Sequence, residues 1–221
     1  MNSALLRPSN KRIPINTIFC LGQNYADHAK EMGSQAPSSP VIFLKPNSAV
    51  IEDGRDIVIP KLSQNIHHEV ELTVLLGTGG KDIPKEKAIE HVAGYGVGLD
   101  MTMRDVQFEA KKAGQPWAVA KGFDTSAPLS PFLERSQIED PHNLEIMLKV
   151  NGSVRQHSTT SNMIFRIETI IEFLSSVFTL SEGDIIFTGT PQGVGRVMPG
   201  DTIEASIGGI GMITHRVVSA H

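Results

Sequence analysis

From Glu69 to Leu76 the chain reads EVELTVLL, with apolar Val70, Leu72, Val74 and Leu76 at every second position. That period predicts a β-strand. Carried back to His67, it places His67, Glu69, Glu71 and Thr73 on the opposite face, with the two carboxylates roughly 6.5–7 Å apart. At an effective dielectric of about 20, two charges at that spacing repel by roughly 2–2.5 kcal/mol. A solvated strand face relieves the repulsion. A buried one needs a proton, a basic partner or a metal cation.

The same patterning breaks the rest of the chain into short elements. Thr17–Gly22 reads as a strand, followed by a short helix over Tyr25–Met32 with Asn24 as N-cap, Asp27 in its first turn and Gly33 at its end. Pro40–Lys45 and Ile57–Ile59 read as strands, and Pro84 opens a helix to about Val92. GYGVGLD returns as a strand ending at Asp100, with glycines that admit a close neighbour. A helix follows from Thr102 to Ala113. Leu144–Val150 and Val154–His157 flank Asn151-Gly152, a strong hairpin signal. Apolar residues keep helical spacing from Ser161 to Phe178, the longest helix expected. The strands GDIIFTGT, TIEASIG and MITHRVV close the chain, the last two joined by a turn at GGIG, 208–211. With 20 Gly and 13 Pro spread throughout and no internal repeat, the pattern predicts an α+β fold, mostly β, with an antiparallel-leaning core and peripheral short helices.

Composition narrows the class. A chain of 221 residues can bury roughly 70% of its unfolded surface in one core. The net charge of −4, with no dense Lys/Arg stripe, speaks against nucleic acid. A single cysteine, Cys20, rules out an internal disulfide and reads as a small core residue. No apolar stretch reaches the length of about eighteen residues that a membrane span needs. The first twenty residues are basic but lack the apolar run of a signal peptide, and strand-like residues from Ile18 speak against a transit peptide. The cytoplasm is the expected compartment.

Asp100 adds a third acid. At a strand end it can cap the helix starting near Thr102, or it can join Glu69 and Glu71 in an all-carboxylate set. Oxygen-only ligands select hard ions, so Mg2+ or Mn2+ is expected there, not Zn2+. HHE at 67–69 also invites a two-histidine, one-carboxylate iron site, although strand alternation points His67 and His68 to opposite faces. Lys121, ending the run WAVAK, is a surface lysine or a countercharge to the acids. His28 and Glu31 lie three apart on one helix face, as an ion pair or as a general-base dyad. Arg104 and Gln107 share the same spacing and could fork around a substrate carboxylate. TGTPQGVG, Thr188–Gly195, offers backbone amides to an anion but is no dinucleotide fingerprint.

In order, NYADHAKEM, HHEVEL, GLDMTMRDVQ, KGFD and GDIIFTGTPQGVG resemble the fumarylacetoacetate hydrolase family, and most of all its small acylpyruvase/oxaloacetate decarboxylase-like branch. The resemblance runs from about Ile18 to the C-terminus. It implies a mixed β-sheet roll forming one catalytic domain, 17–221, after an N-terminal extension, 1–16. It implies Mg2+ or Mn2+ held by Glu69, Glu71 and Asp100, with Lys121 near the substrate and a lid dyad of His28 and Glu31. Arg104, Gln107 and Thr190 match its substrate contacts. Gln23 departs from the branch, which often carries a basic residue there. The implied activity is C–C hydrolysis of acylpyruvates, 2,4-dioxo acids such as acetylpyruvate or fumarylpyruvate, by a homodimer. Oxaloacetate decarboxylation, isomerase or hydratase activity on a 2-oxo acid, and a non-catalytic metal-binding role are the alternatives.

Overall fold

Every residue of the strand Val70–Leu76 is buried in a computed structural model, which describes residues 2–31, 33 and 35–220. In chain order the elements begin with β1 (Ser3–Arg7), β2 (Lys11–Pro14), β3 (Ile18–Gly22), α1 (Ala26–Glu31) and β4 (Val41–Lys45). Next come β5 (Val50–Glu52), β6 (Ile57–Ile59), β7 (Ile66–His68), β8 (Val70–Leu76), β9 (Val92–Leu99) and β10 (Thr102–Met103). Helices α2 (Arg104–Lys112) and α3 (Ala118–Lys121) precede β11 (Ala127–Leu129), β12 (Phe132–Glu134), β13 (Glu145–Val150) and β14 (Ser153–Thr159). Helix α4 (Ile167–Val177) leads to β15 (Ile185–Phe187), β16 (Gly195–Val197), β17 (Thr202–Ile207) and β18 (Gly211–Ser219).

Among the described residues these strands form three sheets. The largest, of ten strands, runs β2-β1-β12-β9-β8-β15-β3-β4, with β11 and β5 attached at β9. A five-stranded sheet runs β14-β13-β17-β18-β6, and a three-stranded one β10-β7-β16. Antiparallel pairs dominate, but β1–β12, β3–β15, β5–β11 and β6–β18 are parallel, so the roll is mixed. Residues 3–14, expected as an extension, form the hairpin at one edge of the large sheet. No helix of the described residues is long and apolar enough to cross a membrane.

The face of β8 decides the opening question of burial. Val70, Leu72, Val74 and Leu76 pack into a core shared with Ile146, Leu148 and Ile203 of the second sheet and with Ile167, Ile170, Ile171 and Leu174 of α4. Leu75, on the other face, packs with Ile18, Cys20, Phe132 and Phe187 in a second core. Both faces of β8 are therefore covered, and Glu71 has no solvent to relieve it.

Several local expectations shift. The segment expected as a helix from Pro84 is a 3-10 helix, Lys85–His91. The helix expected over 161–178 starts only at Ile167, because the preceding amides serve another purpose: Ile164 N–H donates to Asn24 O at 2.8 Å and Phe165 N–H to Asn24 Oδ1 at 2.7 Å. Asn24 also donates to Thr188 O at 2.7 Å, so its side chain ties three segments together and does not cap α1. Helix α2 begins at Arg104, and Asp100 does not cap it. Met32, the expected end of α1, lies outside the described residues.

The glycines of β9 admit rings. A Cβ at Gly98 would stand 2.7 Å from the Phe187 ring and 2.6 Å from the Thr73 methyl, both in fixed sheet positions. Gly98→Ala is accordingly expected to cost about 1–3 kcal/mol through overpacking. For a chain of this size that lowers Tm by roughly 2–10 °C, readable by thermal unfolding. An unchanged Tm would show that the rings have room the packing does not suggest.

Candidate active site

The antiparallel register of β8 and β9 sets Val70 opposite Leu99 and Glu71 opposite Gly98. Asp100, one residue beyond β9, donates its amide to Glu69 O at 2.9 Å, which brings the third acid beside the first. Glu69, Glu71 and Asp100 each offer a carboxylate oxygen within 4.8 Å of the others. All three are buried. The strand breaks at Glu69, so His67 and His68 belong to β7 in a different sheet. His67 Nε2 lies 3.1 Å from Asn65 Oδ1, and His68 Nδ1 lies 3.0 Å from Gln156 Oε1. The histidines are thus engaged away from the acids, which overturns the iron reading.

Cations brace two of the acids. Lys121 Nζ, buried at the end of α3, is 2.8 Å from Glu69 Oε2 and 2.6 Å from Asp100 Oδ2. Arg104 pairs its Nη2 with Glu69 Oε1 and donates Nη1 to Gln107 Oε1 at 2.7 Å. Lys45 Nζ, at the end of β4, lies 2.8 Å from Asp100 Oδ1 and donates to Lys121 O and to Ser126 Oγ. Burial opposes ionisation of Glu69, but Lys121 and Arg104 overcome it and hold its carboxyl well below the usual range. Burial likewise opposes the charge on Lys121, and Asp100 and Glu69 hold its pKa up.

Glu71 receives no such help. Gly189 N–H donates to its Oε2 at 2.7 Å, while its Oε1 has no hydrogen-bond partner among the described residues. Burial, then the charges of Asp100 and Glu69, push its carboxyl well above the usual value. A buried oxygen without a donor, facing two further carboxylates, fits a hard divalent cation, which would bind all three acids through oxygen.

The loop TGTPQGVG does offer amides to anions, and the anions are the protein's own. Gly189 serves Glu71, and Gly193 N–H reaches Glu31 Oε1 and Oε2 at 3.1 and 3.2 Å. On α1, His28 is buried and its Nδ1 lies 3.1 Å from Glu31 Oε2. Thr190 donates its hydroxyl to Val70 O at 2.8 Å and accepts from Gln156 Nε2 at 2.8 Å. A cavity of about 30 Å³ is lined by His28, Glu69, Glu71, Arg104, Gln107, Lys121 and Thr190, and by Gln23. That volume admits about one or two waters, so a larger ligand needs the lining side chains to move. A cavity of about 520 Å³ lies elsewhere, between Arg7, Arg12, Glu52 and Asp53, and contains none of these groups.

Sequence reasoning missed Lys45, Lys111, Phe43 and Trp117. Lys45 closes the apolar run VIFLK as Lys121 closes WAVAK, so the same signal marks both lysines. The aromatic and helix-end residues carry no local signal for a shared wall.

The structure defines a mostly β roll with a buried cluster of three carboxylates at its centre, beside a short helix that carries His28 and Glu31. The family model for the fumarylacetoacetate (FAA) hydrolase C-terminal region matches residues 17–218, and the chain belongs to that family. The chain is 53% identical over 193 residues to oxaloacetate tautomerase FAHD1, mitochondrial, of Rattus norvegicus, covering 87% of each chain. It superposes on the fumarylpyruvate hydrolase of Pseudomonas aeruginosa in complex with Mn2+ and pyruvate with TM-score 0.95 and 41% identity, covering 99% of this chain and 96% of that one. The 5-carboxymethyl-2-hydroxymuconate delta-isomerase of Mycobacterium smegmatis matches with TM-score 0.85 and 43% identity, covering 95% and 81%.

The isolated charge on Glu71 makes a testable trade. In the metal-free protein its folded pKa is raised, so the folded state holds the proton more tightly than the unfolded chain. The site then costs stability increasingly as pH rises above the ordinary Glu value of about 4.3. Glu71→Gln removes that charge, keeps an acceptor for Gly189, and should raise the metal-free Tm at neutral pH by roughly 2–8 °C. Mn2+ at a hundredfold excess over its Kd should stabilise the wild type by about 2.7 kcal/mol and the variant not at all. Equal metal stabilisation of both proteins would remove Glu71 from the ligand set.

Proposed function

We propose that this protein is a divalent-metal-dependent hydrolase that cleaves 2,4-dioxo acids between carbons 3 and 4, giving a carboxylate and pyruvate. The observation that carries the reading is the His28–Glu31 contact at 3.1 Å, with His28 lining the same pocket as Glu69 and Glu71. When bound, Mg2+ or Mn2+ supplies Lewis-acid polarisation of the substrate's 2-oxo acid oxygens. Glu31 accepts from His28 Nδ1–H and leaves Nε2 free to take a proton from water as its oxygen attacks carbon 4. The bond between carbons 3 and 4 breaks, and its electron pair stays with the pyruvate fragment as an enolate. Lys121, fixed by Glu69 and Asp100, places positive charge beside the developing oxyanion. The imidazolium returns its proton to carbon 3. Arg104 and Gln107, three apart on α2, hold the 1-carboxylate, and Thr190 shapes the opposing wall. A homodimer in the cytoplasm completes the reading.

A second reading, enolisation or decarboxylation of oxaloacetate, is favoured by the higher identity to the rat oxaloacetate tautomerase than to the bacterial hydrolase. Both readings pass through an enolate, but only hydrolysis needs an activated water.

The deciding assay adds Mg2+ to metal-free protein with acetylpyruvate and follows its ultraviolet absorbance. Metal-dependent loss with equimolar acetate and pyruvate is expected. His28→Ala should lower kcat by about 10²–10⁴ while metal affinity is retained. Turnover of oxaloacetate but not acetylpyruvate would replace the hydrolase by the second reading.

A further inference from the structure

Arg104, Gln107 and Lys111 are spaced three and four apart on α2, and all three line the same cavity. The first two already have partners, Arg104 pairing with Glu69 and donating to Gln107, and on the reading above they hold the 1-carboxylate. Lys121 and Lys45 are committed to the acids as well. Lys111 differs. No carboxylate among the described residues pairs with it, and its Nζ instead stands 4.9 Å from the centroid of the Trp117 ring. A cation–π contact steadies an ammonium without using its N–H donors.

Trp117 packs against Phe43 with ring centroids 5.8 Å apart, and Lys121 Nζ lies 4.9 Å from the Phe43 ring. An aromatic pair is therefore bracketed by two ammoniums, Lys121 at the carboxylate cluster and Lys111 toward solvent. The wall between them is apolar and suits a short carbon chain. The Lys111 end is cationic and suits an anion, while the Lys121 end lies at the carboxylate cluster, where the 2-oxo acid end of a substrate would sit beside the metal. Partial burial, and then the like charges of Arg104 and Lys121, pull Lys111 below the ordinary lysine value. A lysine in the last turn of a helix also answers the helix dipole, but Lys112 occupies the same turn without lining the cavity.

We propose that Lys111 receives the second carboxylate of a dicarboxylic 2-oxo acid and so makes the site select dicarboxylic over monocarboxylic substrates. This rests on the 2-oxo acid reading above. The test titrates Mn2+-loaded wild type, Lys111→Met, Lys111→Arg and Lys112→Met with 2-oxoglutarate and with pyruvate by calorimetry. The wild type should bind the dicarboxylic acid more tightly. Lys111→Met should weaken 2-oxoglutarate about tenfold or more and leave pyruvate within about twofold, as expected for loss of one charged hydrogen bond. Lys111→Arg should retain most of the affinity, and Lys112→Met all of it. Equal losses for both acids, or no loss for 2-oxoglutarate, would overturn the assignment while the 2-oxo acid reading stands. A wild type that binds neither acid would overturn both.

Discussion

The fold is organised around buried charge. Ions taken out of water cost several kcal/mol each unless they are paired and hydrogen-bonded, and here Glu69, Glu71 and Asp100 share one dry cluster with Lys45, Lys121 and Arg104. The pairing is uneven. Glu69 and Asp100 each have two cations, whereas Glu71 has one backbone amide. A protein selected for stability alone would replace Glu71 by an apolar residue, since both faces of β8 are otherwise core. Its retention is intelligible if a divalent ion supplies the missing charge, which makes the site a place where stability is surrendered for binding.

Rigidity and motion are divided accordingly. The acids sit on or beside the central strands β8 and β9, held by ladder hydrogen bonds in a ten-stranded sheet. The dyad sits on α1, which at six residues is too short to be stable alone. What holds α1 down is the docking of Glu31 on the Gly193 amide and the burial of His28. The same Glu31 carboxylate orients the imidazole. Because His28 and Glu31 sit three apart on the same helix, the pair would travel together if α1 moved, and the contact that would break is Glu31 with the Gly193 amide.

Much of this was legible in the sequence, and the failures have causes. The period-2 run of β8, the Asn-Gly hairpin and the spacing of the acids are local signals, and local signals report local structure well. The carboxylate face was ambiguous because burial of the face opposite Val70 depends on Phe132 and Phe187, both more than fifty residues away. The start of α4 was misplaced because Asn24, remote in sequence, captures the backbone of Ile164 and Phe165. The break at Glu69 went unseen because nothing in HHEVEL interrupts the alternation. It follows from pairing partners, β10 and β16 for β7 against β9 and β15 for β8. Lys45 was missed although its run matches that of Lys121, because a lysine at a strand end has an ordinary use at the surface.

Kinship with proteins named as a tautomerase, a hydrolase and an isomerase is consistent with this division of labour. On the proposed reading, the strands supply the three buried carboxylates that would hold a divalent cation. The reaction that follows depends on groups carried by the covering elements. On that proposal a His28 that reaches a water would give hydrolysis, and one that reaches only the substrate's own carbon would give proton transfer. On the inference drawn for Lys111, α2 would then select which acids are held. On the proposed reading the choice of reaction therefore lies on α1 and α2, since the sheet beneath them carries only the carboxylates.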